Sequence, residues 1–153
     1  MFKLDNMEKL PNVLYAEDNI NDVELALAAF KESKLANKID VVYDGQEVLD
    51  YLFYKGKYVN RVKELPAFVL LDIKMPKIDG IEVLKIIRES EEYKNIPVVM
   101  LTSSQLESDV YASYKLGVNG FVVKPIDFND FVKAIVGKGY FWAILNTTPY
   151  KNA

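Results

Sequence analysis

The chain contains neither cysteine nor histidine in its 153 residues. Without cysteine it has no disulfide, no thiol nucleophile and no thiolate zinc site. Without histidine the Ser-His-Asp and Cys-His triads are excluded, together with imidazole-ligated metal centres and phosphohistidine carriers. The chemistry left to it is that of carboxylates, hydroxyls and lysines. A metal would be bound through oxygen, which favours Mg²⁺, Ca²⁺ or Mn²⁺. Long apolar runs are missing as well. No stretch approaches the roughly 20 residues that span a bilayer. The polar, mixed-charge start from Met1 to Pro11 lacks the apolar segment of a signal peptide. The expectation is a cytoplasmic protein with no membrane partner. The net charge of −3 speaks against general nucleic-acid binding, which needs a basic patch or stripe.

Internal repeats, low-complexity tracts and linker-like segments are absent too. One domain over 1–153 is therefore expected, with a core over about 13–145, a lead-in 1–12 and a tail 146–153. Within it, short apolar runs alternate with helical periodicity, the pattern of an α/β domain on a parallel sheet. Four runs end on residues with chemistry. Val13-Leu14-Tyr15-Ala16 leads into Glu17-Asp18, and 67–71 leads into Asp72. The run 98–101 leads into Thr102, and Gly120-Phe121-Val122-Val123 leads into Lys124-Pro125. A further strand is read at 39–43.

Asn19-Ile20-Asn21-Asp22 supplies capping residues for a helix carrying Val23, Leu27 and Phe30. Val48, Leu49 and Leu52 begin a second helix; Ile81, Leu84, Ile87 and Arg88 mark a third. Leu106, Val110 and Tyr114 mark a fourth that ends at Gly117 as a C-cap. Asp127 caps a last helix with Phe128, Phe131 and Ile135, followed by Tyr140-Phe141-Trp142. The segment 55–66 breaks periodicity and carries Lys55, Lys57, Arg61 and Lys63. Loops of that length are often functional; a solvated surface excursion is the plainer expectation.

In an open parallel sheet ligands bind outside the carboxyl ends of the strands. Three carboxylates, a hydroxyl and an ammonium would meet there. An Asp can act as a nucleophile toward phosphorus and form an aspartyl phosphate. Its obstacle is the negative charge of the phosphoryl group, which a bridging metal would neutralise. Glu17 and Asp18 can supply further carboxylates for that metal, a lysine can contact a phosphoryl oxygen as a point charge, and a threonine hydroxyl can donate to another. Each residue also has a plain alternative. Asp72 alone could be the first solvated loop residue, Glu17-Asp18-Asn19 and Thr102-Ser103-Ser104 could simply cap helices, Lys124 could be an exposed loop lysine, and Phe121 could be core. Agreement of four candidates at four strand ends shifts the balance toward chemistry.

In this order, Glu17-Asp18-Asn19, Asp72-Ile73-Lys74-Met75-Pro76 with Asp79-Gly80, Leu101-Thr102-Ser103 and Lys124-Pro125 resemble the receiver domains of two-component response regulators. The resemblance implies a doubly wound, flavodoxin-like (βα)₅ fold, a five-stranded parallel sheet in the order 2-1-3-4-5. It implies that Asp72 is the phosphoacceptor, charged by a sensor histidine kinase. It implies Mg²⁺ held by Glu17, Asp18, Asp72 and the backbone carbonyl of Lys74. Glu17 stands where many members have Asp, which leaves open which acid contacts the metal directly. Thr102 matches the switch hydroxyl, Lys124 the family lysine, and Phe121 the aromatic switch position, without a phenolic hydroxyl. The Lys124-Pro125 bond is usually cis in such domains.

A narrower resemblance joins Glu32-Ser33-Lys34-Leu35, the basic loop and Phe141-Trp142 to single-domain regulators paired with cyanobacterial and bacterial phytochrome kinases. It implies a bacterial phytochrome as the kinase. With no room read for an output domain, signalling to an unnamed downstream protein is expected by protein–protein contact, and the aromatic patch Tyr140-Phe141-Trp142 is expected to support a homodimer. The resemblance further implies no enzymatic turnover beyond self-catalysed phosphoryl acceptance and slow autodephosphorylation. Three other functions compete. A phosphoester hydrolase usually needs a second acid near the nucleophile, where this chain has Lys74. A phosphorylation-independent interaction module would not need the intact residue set. A flavodoxin-like cofactor protein would need a phosphate loop after the first strand, where acids stand instead.

Overall fold

The structure, a computed structural model, describes residues 12–33, 38–103 and 107–124. Strands β1 (Asn12–Ala16), β2 (Lys38–Val42), β3 (Phe68–Asp72), β4 (Val98–Thr102) and β5 (Gly120–Val123) alternate with helices α1 (Ile20–Ser33), α2 (Gly45–Leu52), α3 (Gly80–Glu89) and α4 (Glu107–Lys115). All strand pairs are parallel, and the order is β2-β1-β3-β4-β5. The predicted last helix, Tyr140-Phe141-Trp142, Pro125, Leu106 and Lys34-Leu35 lie outside the described residues.

Alternation along the strands divides the core in two. Val13 and Tyr15 of β1, Phe68 and Leu70 of β3, and Val99 and Leu101 of β4 pack against Val23, Ala26 and Phe30 of α1. The residues between them, Leu14, Ala16, Val69, Leu71, Val98 and Met100, pack against α2 and α3 through Val48, Leu52, Val83, Leu84 and Ile87. Both faces of β3 and β4 are therefore covered, which is why those strands are apolar without interruption. At roughly 25 cal/mol per Å² of apolar surface removed from water, this double burial is the main driving force of the fold.

Helix starts follow from capping. Asp44 accepts from the Glu47 amide at 2.7 Å and Asp79 from the Glu82 amide at 2.9 Å, each satisfying an orphan N–H of the first turn. Asn19 does the same for the Asp22 amide at 3.1 Å. The α4 C-terminus closes through Gly117 at φ +78°, the left-handed conformation that glycine adopts without penalty. Arg88 locks this turn to the start of β4: it donates to Leu116 O at 3.1 Å, to Gly117 O at 2.8 Å and to Ile96 O at 2.7 Å.

Four strands differ from the sequence expectation by one residue: β1 starts at Asn12, β4 ends at Thr102, and β2 and β3 are each shifted. β2 runs over Lys38–Val42 because the Tyr43 amide is taken by Glu47 Oε1 at 2.9 Å, leaving the ladder. β3 extends to Asp72, which pairs with Leu101, while the Ile73 amide donates to Leu101 O at 3.0 Å. Asp72 is thus the last residue of the strand and not the first of a loop.

The segment 55–66 is more fixed than a solvated excursion. It opens with a 3₁₀ turn, Gly56–Tyr58, whose Tyr58 hydroxyl donates to Glu47 Oε2 at 2.5 Å. Arg61 lies over the Tyr51 ring at 3.9 Å and the Tyr54 ring at 4.4 Å, and donates to Tyr51 O at 3.0 Å and Glu64 O at 3.1 Å. Lys55, Lys57 and Lys63 remain exposed, so the expectation holds for them and fails for Arg61. Among the described residues no helix is long and apolar enough to cross a membrane.

Candidate metal and phosphoryl site

The carboxyl ends of β1, β3, β4 and β5 bring the predicted residues together. The Glu17 amide donates to Val42 O of β2 at 3.0 Å, which carries the β1–β2 ladder one residue past the end of β1. Glu17 and Asp72 are buried and Asp18 is exposed. One carboxylate oxygen from each of the three lies within 4.8 Å of the others. Thr102 is buried at the end of β4, and its carbonyl accepts from the Lys124 amide at 2.8 Å. That bond carries Lys124 back toward the acids. Its ammonium stands 3.1 Å from both Glu17 oxygens, 3.3 Å from Asp72 Oδ2 and 3.0 Å from Asp22 Oδ2.

Two buried acids close together are costly to ionise. Burial first, then the hydrogen bond and charge of Asp72, push the Glu17 carboxyl well above the ordinary carboxylate range, and Lys124 only partly offsets this. Burial also works against the charged form of Lys124, yet Asp22, Asp72 and Glu17 together raise its affinity for the proton. Glu17, Asp72 and Asp22 thus share one ammonium. Tyr15 lies beneath the cluster, its phenol held protonated by burial and then by the charges of Glu17, Asp22 and Asp72. An all-oxygen donor set of three clustered carboxylates suits a hard divalent cation.

Lys74 is exposed and lines an open pocket of about 370 Å³ with Asp18, Met75, Pro76 and Asp79. Close approach of this loop to β3 requires Gly80: a Cβ there would lie 2.3 Å from Asp72 O. Phe121 is half-buried on β5, with its ring centroid 5.6 Å from that of Tyr114 on α4. The structure thus gathers Glu17, Asp18, Asp72 and Lys124 at one point with the Thr102 carbonyl bonded to the Lys124 amide, sets Lys74 in the adjoining pocket with Asp18, and places Phe121 within β5 against Tyr114. Sequence reasoning missed one member. Asp22 is read from the sequence as a capping residue, but its amide receives the cap from Asn19 and its carboxylate meets Lys124. No local signal marks it, because its partner lies at the other end of the chain.

Residues 13–136 match the response regulator receiver domain. The chain belongs to that family. As a receiver it takes part in phosphorelay signalling with histidine kinases and is not an enzyme in the ordinary sense. It is similar to response regulator Rcp1 of Synechocystis, 36% identical over 137 residues, covering 90% of this chain and 92% of that one. A solved Mn²⁺-bound form of response regulator Rcp1 superposes with a TM-score of 0.74 at 36% identity, covering 91% of this chain and 99% of the other. The bacteriophytochrome response regulator AtBRR is 54% identical with a TM-score of 0.80, covering 90% and 98%. The phosphorylated cyanobacterial phytochrome response regulator RcpA is 34% identical with a TM-score of 0.75, covering 92% and 99%. The receiver's sheet order, 2-1-3-4-5, is the one expected for this family. Its acidic cluster is of the kind that holds a divalent cation in receivers.

Proposed function

We propose that this receiver accepts a phosphoryl group on Asp72 with Mg²⁺ held by Glu17, Asp18, Asp72 and the Lys74 carbonyl. The observation that carries the proposal is the bridging of Glu17 and Asp72 by the Lys124 ammonium, inside a set of three clustered carboxylates. An Asp72 oxygen forms the new bond to phosphorus. The bond from phosphorus to the donor breaks, and the donor leaves with the electron pair. A bound divalent cation would neutralise the repulsion between carboxylates and phosphoryl oxygens. Lys124 contacts one phosphoryl oxygen and Thr102 donates to another. Loss of the group is the reverse in kind: water attacks phosphorus, the acyl oxygen leaves, and inorganic phosphate is released.

The kinase is of the phytochrome type, a choice supported by the named relatives of this receiver. Output is by protein contact over the α4–β5 face, where Tyr114 is exposed and touches Phe121. Phe121 has no phenolic hydroxyl, so it switches by packing. Incubation with acetyl phosphate and Mg²⁺ tests the acceptor: wild type gains one phosphoryl mass and Asp72→Asn gains none. An equal gain on both, or on neither, would overturn it.

A further inference from the structure

One acid at this site is left without a role by the phosphoryl chemistry above. Asp22 is not among the three carboxylates clustered for a cation. Its Oδ2 nevertheless makes the shortest contact to the Lys124 ammonium, 3.0 Å, against 3.1 Å to either Glu17 oxygen and 3.3 Å to Asp72. An ammonium has three donors, and here three carboxylates take them. Two of these acceptors change when the site is used. In the proposed function Glu17 and Asp72 would also hold a cation, and Asp72 becomes an acyl phosphate. Asp22 keeps its charge and its place on α1.

We infer that Asp22 is a positioning residue: it anchors the Lys124 ammonium from α1, so that the lysine stays aimed at the phosphoryl group once Glu17 and Asp72 are engaged elsewhere. The inference rests on Asp72 being the phosphoacceptor. Its physical basis is the flexibility of lysine, a point charge on a four-carbon stem that loses much rotamer freedom when fixed. The Lys124 side chain is only 12% exposed, so water is a poor substitute for a lost partner. The anchor also stands on a different element from the metal-binding acids: Asn19 caps the Asp22 amide, which sets the carboxylate in the first turn of α1.

The test uses the full chain with acetyl phosphate and Mg²⁺, and compares Asp22→Ala, Asp22→Asn, Asp72→Asn and wild type. Labelling rate and label lifetime are followed by intact mass, and Mg²⁺ affinity is followed separately by calorimetry on unlabelled protein. Asp22→Ala should slow labelling at saturating Mg²⁺ on the order of tenfold, the low end for removing an orienting partner, and shorten the label's lifetime. Its Mg²⁺ dissociation constant should stay within about twofold of wild type, a split that a merely structural or metal-binding role would not produce. Asp22→Asn keeps an acceptor oxygen of the same shape, so it should recover most of the rate. Wild-type or faster labelling of Asp22→Ala would overturn the anchor, as would a loss of Mg²⁺ affinity matching the loss of rate. Failure of the acceptor assignment itself reads differently, as labelling of Asp72→Asn.

Discussion

The amide of Lys124 donates to the carbonyl of Thr102 at 2.8 Å. This β4–β5 bond brings the backbones of Thr102 and Lys124 together at the sheet edge where the acids stand. Above about pH 8, where Glu17 is ionised, Lys124→Met would leave Glu17 and Asp72 buried without their counter-charge. Removing one partner of a buried ion pair is strongly destabilising, and a loss of about 3 kcal/mol is expected in urea unfolding without metal. Mg²⁺ should narrow the gap from wild type, because a cation takes over the neutralisation. A gap under about 1 kcal/mol, or one that Mg²⁺ leaves unchanged, would contradict the geometry.

The Glu17 carboxyl makes apo stability fall with rising pH. Burial, reinforced by Asp72, raises it from 4.5 to about 8. Between those values the folded chain binds a proton that the unfolded chain has released, so stability declines as pH rises through that window. Glu17→Gln cannot titrate, and its metal-free stability should be flatter from pH 5 to about pH 8 than that of wild type. Parallel pH profiles for the two proteins in chemical denaturation would count against this.

Arg61 should be irreplaceable by lysine. Its guanidinium stacks on Tyr51 and donates to three backbone carbonyls, those of Tyr51, Val62 and Glu64. Arg61→Ala should cost about 2 kcal/mol, and Arg61→Lys should recover less than half, since an ammonium cannot fork or stack in this way. Hydrogen exchange of 56–64 would locate the loss; unaltered exchange in Arg61→Ala would refute the pinning role.

Gly80→Ala tests the contact between the loop and the acceptor strand. The added Cβ would lie 2.3 Å from Asp72 O and 2.8 Å from Ile73 Cα, both backbone atoms that cannot swing aside. A destabilisation of about 3 kcal/mol is expected, together with weaker Mg²⁺ binding as Asp72 shifts. A variant within about 0.5 kcal/mol of wild type, with unchanged Mg²⁺ affinity, would show that the loop yields.

Much of this was legible before the structure. The doubly covered strands announced themselves as unbroken apolar runs, and the capping stretch that begins at Asn19 follows from residue type and spacing. The strand-end position of Asp72, Thr102 and Lys124 follows from the same runs. The boundaries of β2 and β3 did not, because they depend on which acceptor an amide finds: Glu47 for Tyr43, and Leu101 for Ile73. The ordering of the basic loop was illegible for a similar reason, since charge pattern says nothing of two tyrosine rings within reach of Arg61.

By itself, then, the sequence determined the chemistry and its address. Absence of histidine and cysteine restricted the site to oxygen and ammonium groups, and parallel strands deliver the residues at their ends to a common edge. Tertiary structure alone decided the electrostatics: that Glu17 is buried while Asp18 is exposed, and that Lys124 is shared by Glu17, Asp72 and Asp22. Periodicity is a property of neighbours along the chain. The energy of a charge depends on distance and solvent exposure, and here the partners come from opposite ends of the chain and meet only when the sheet is built.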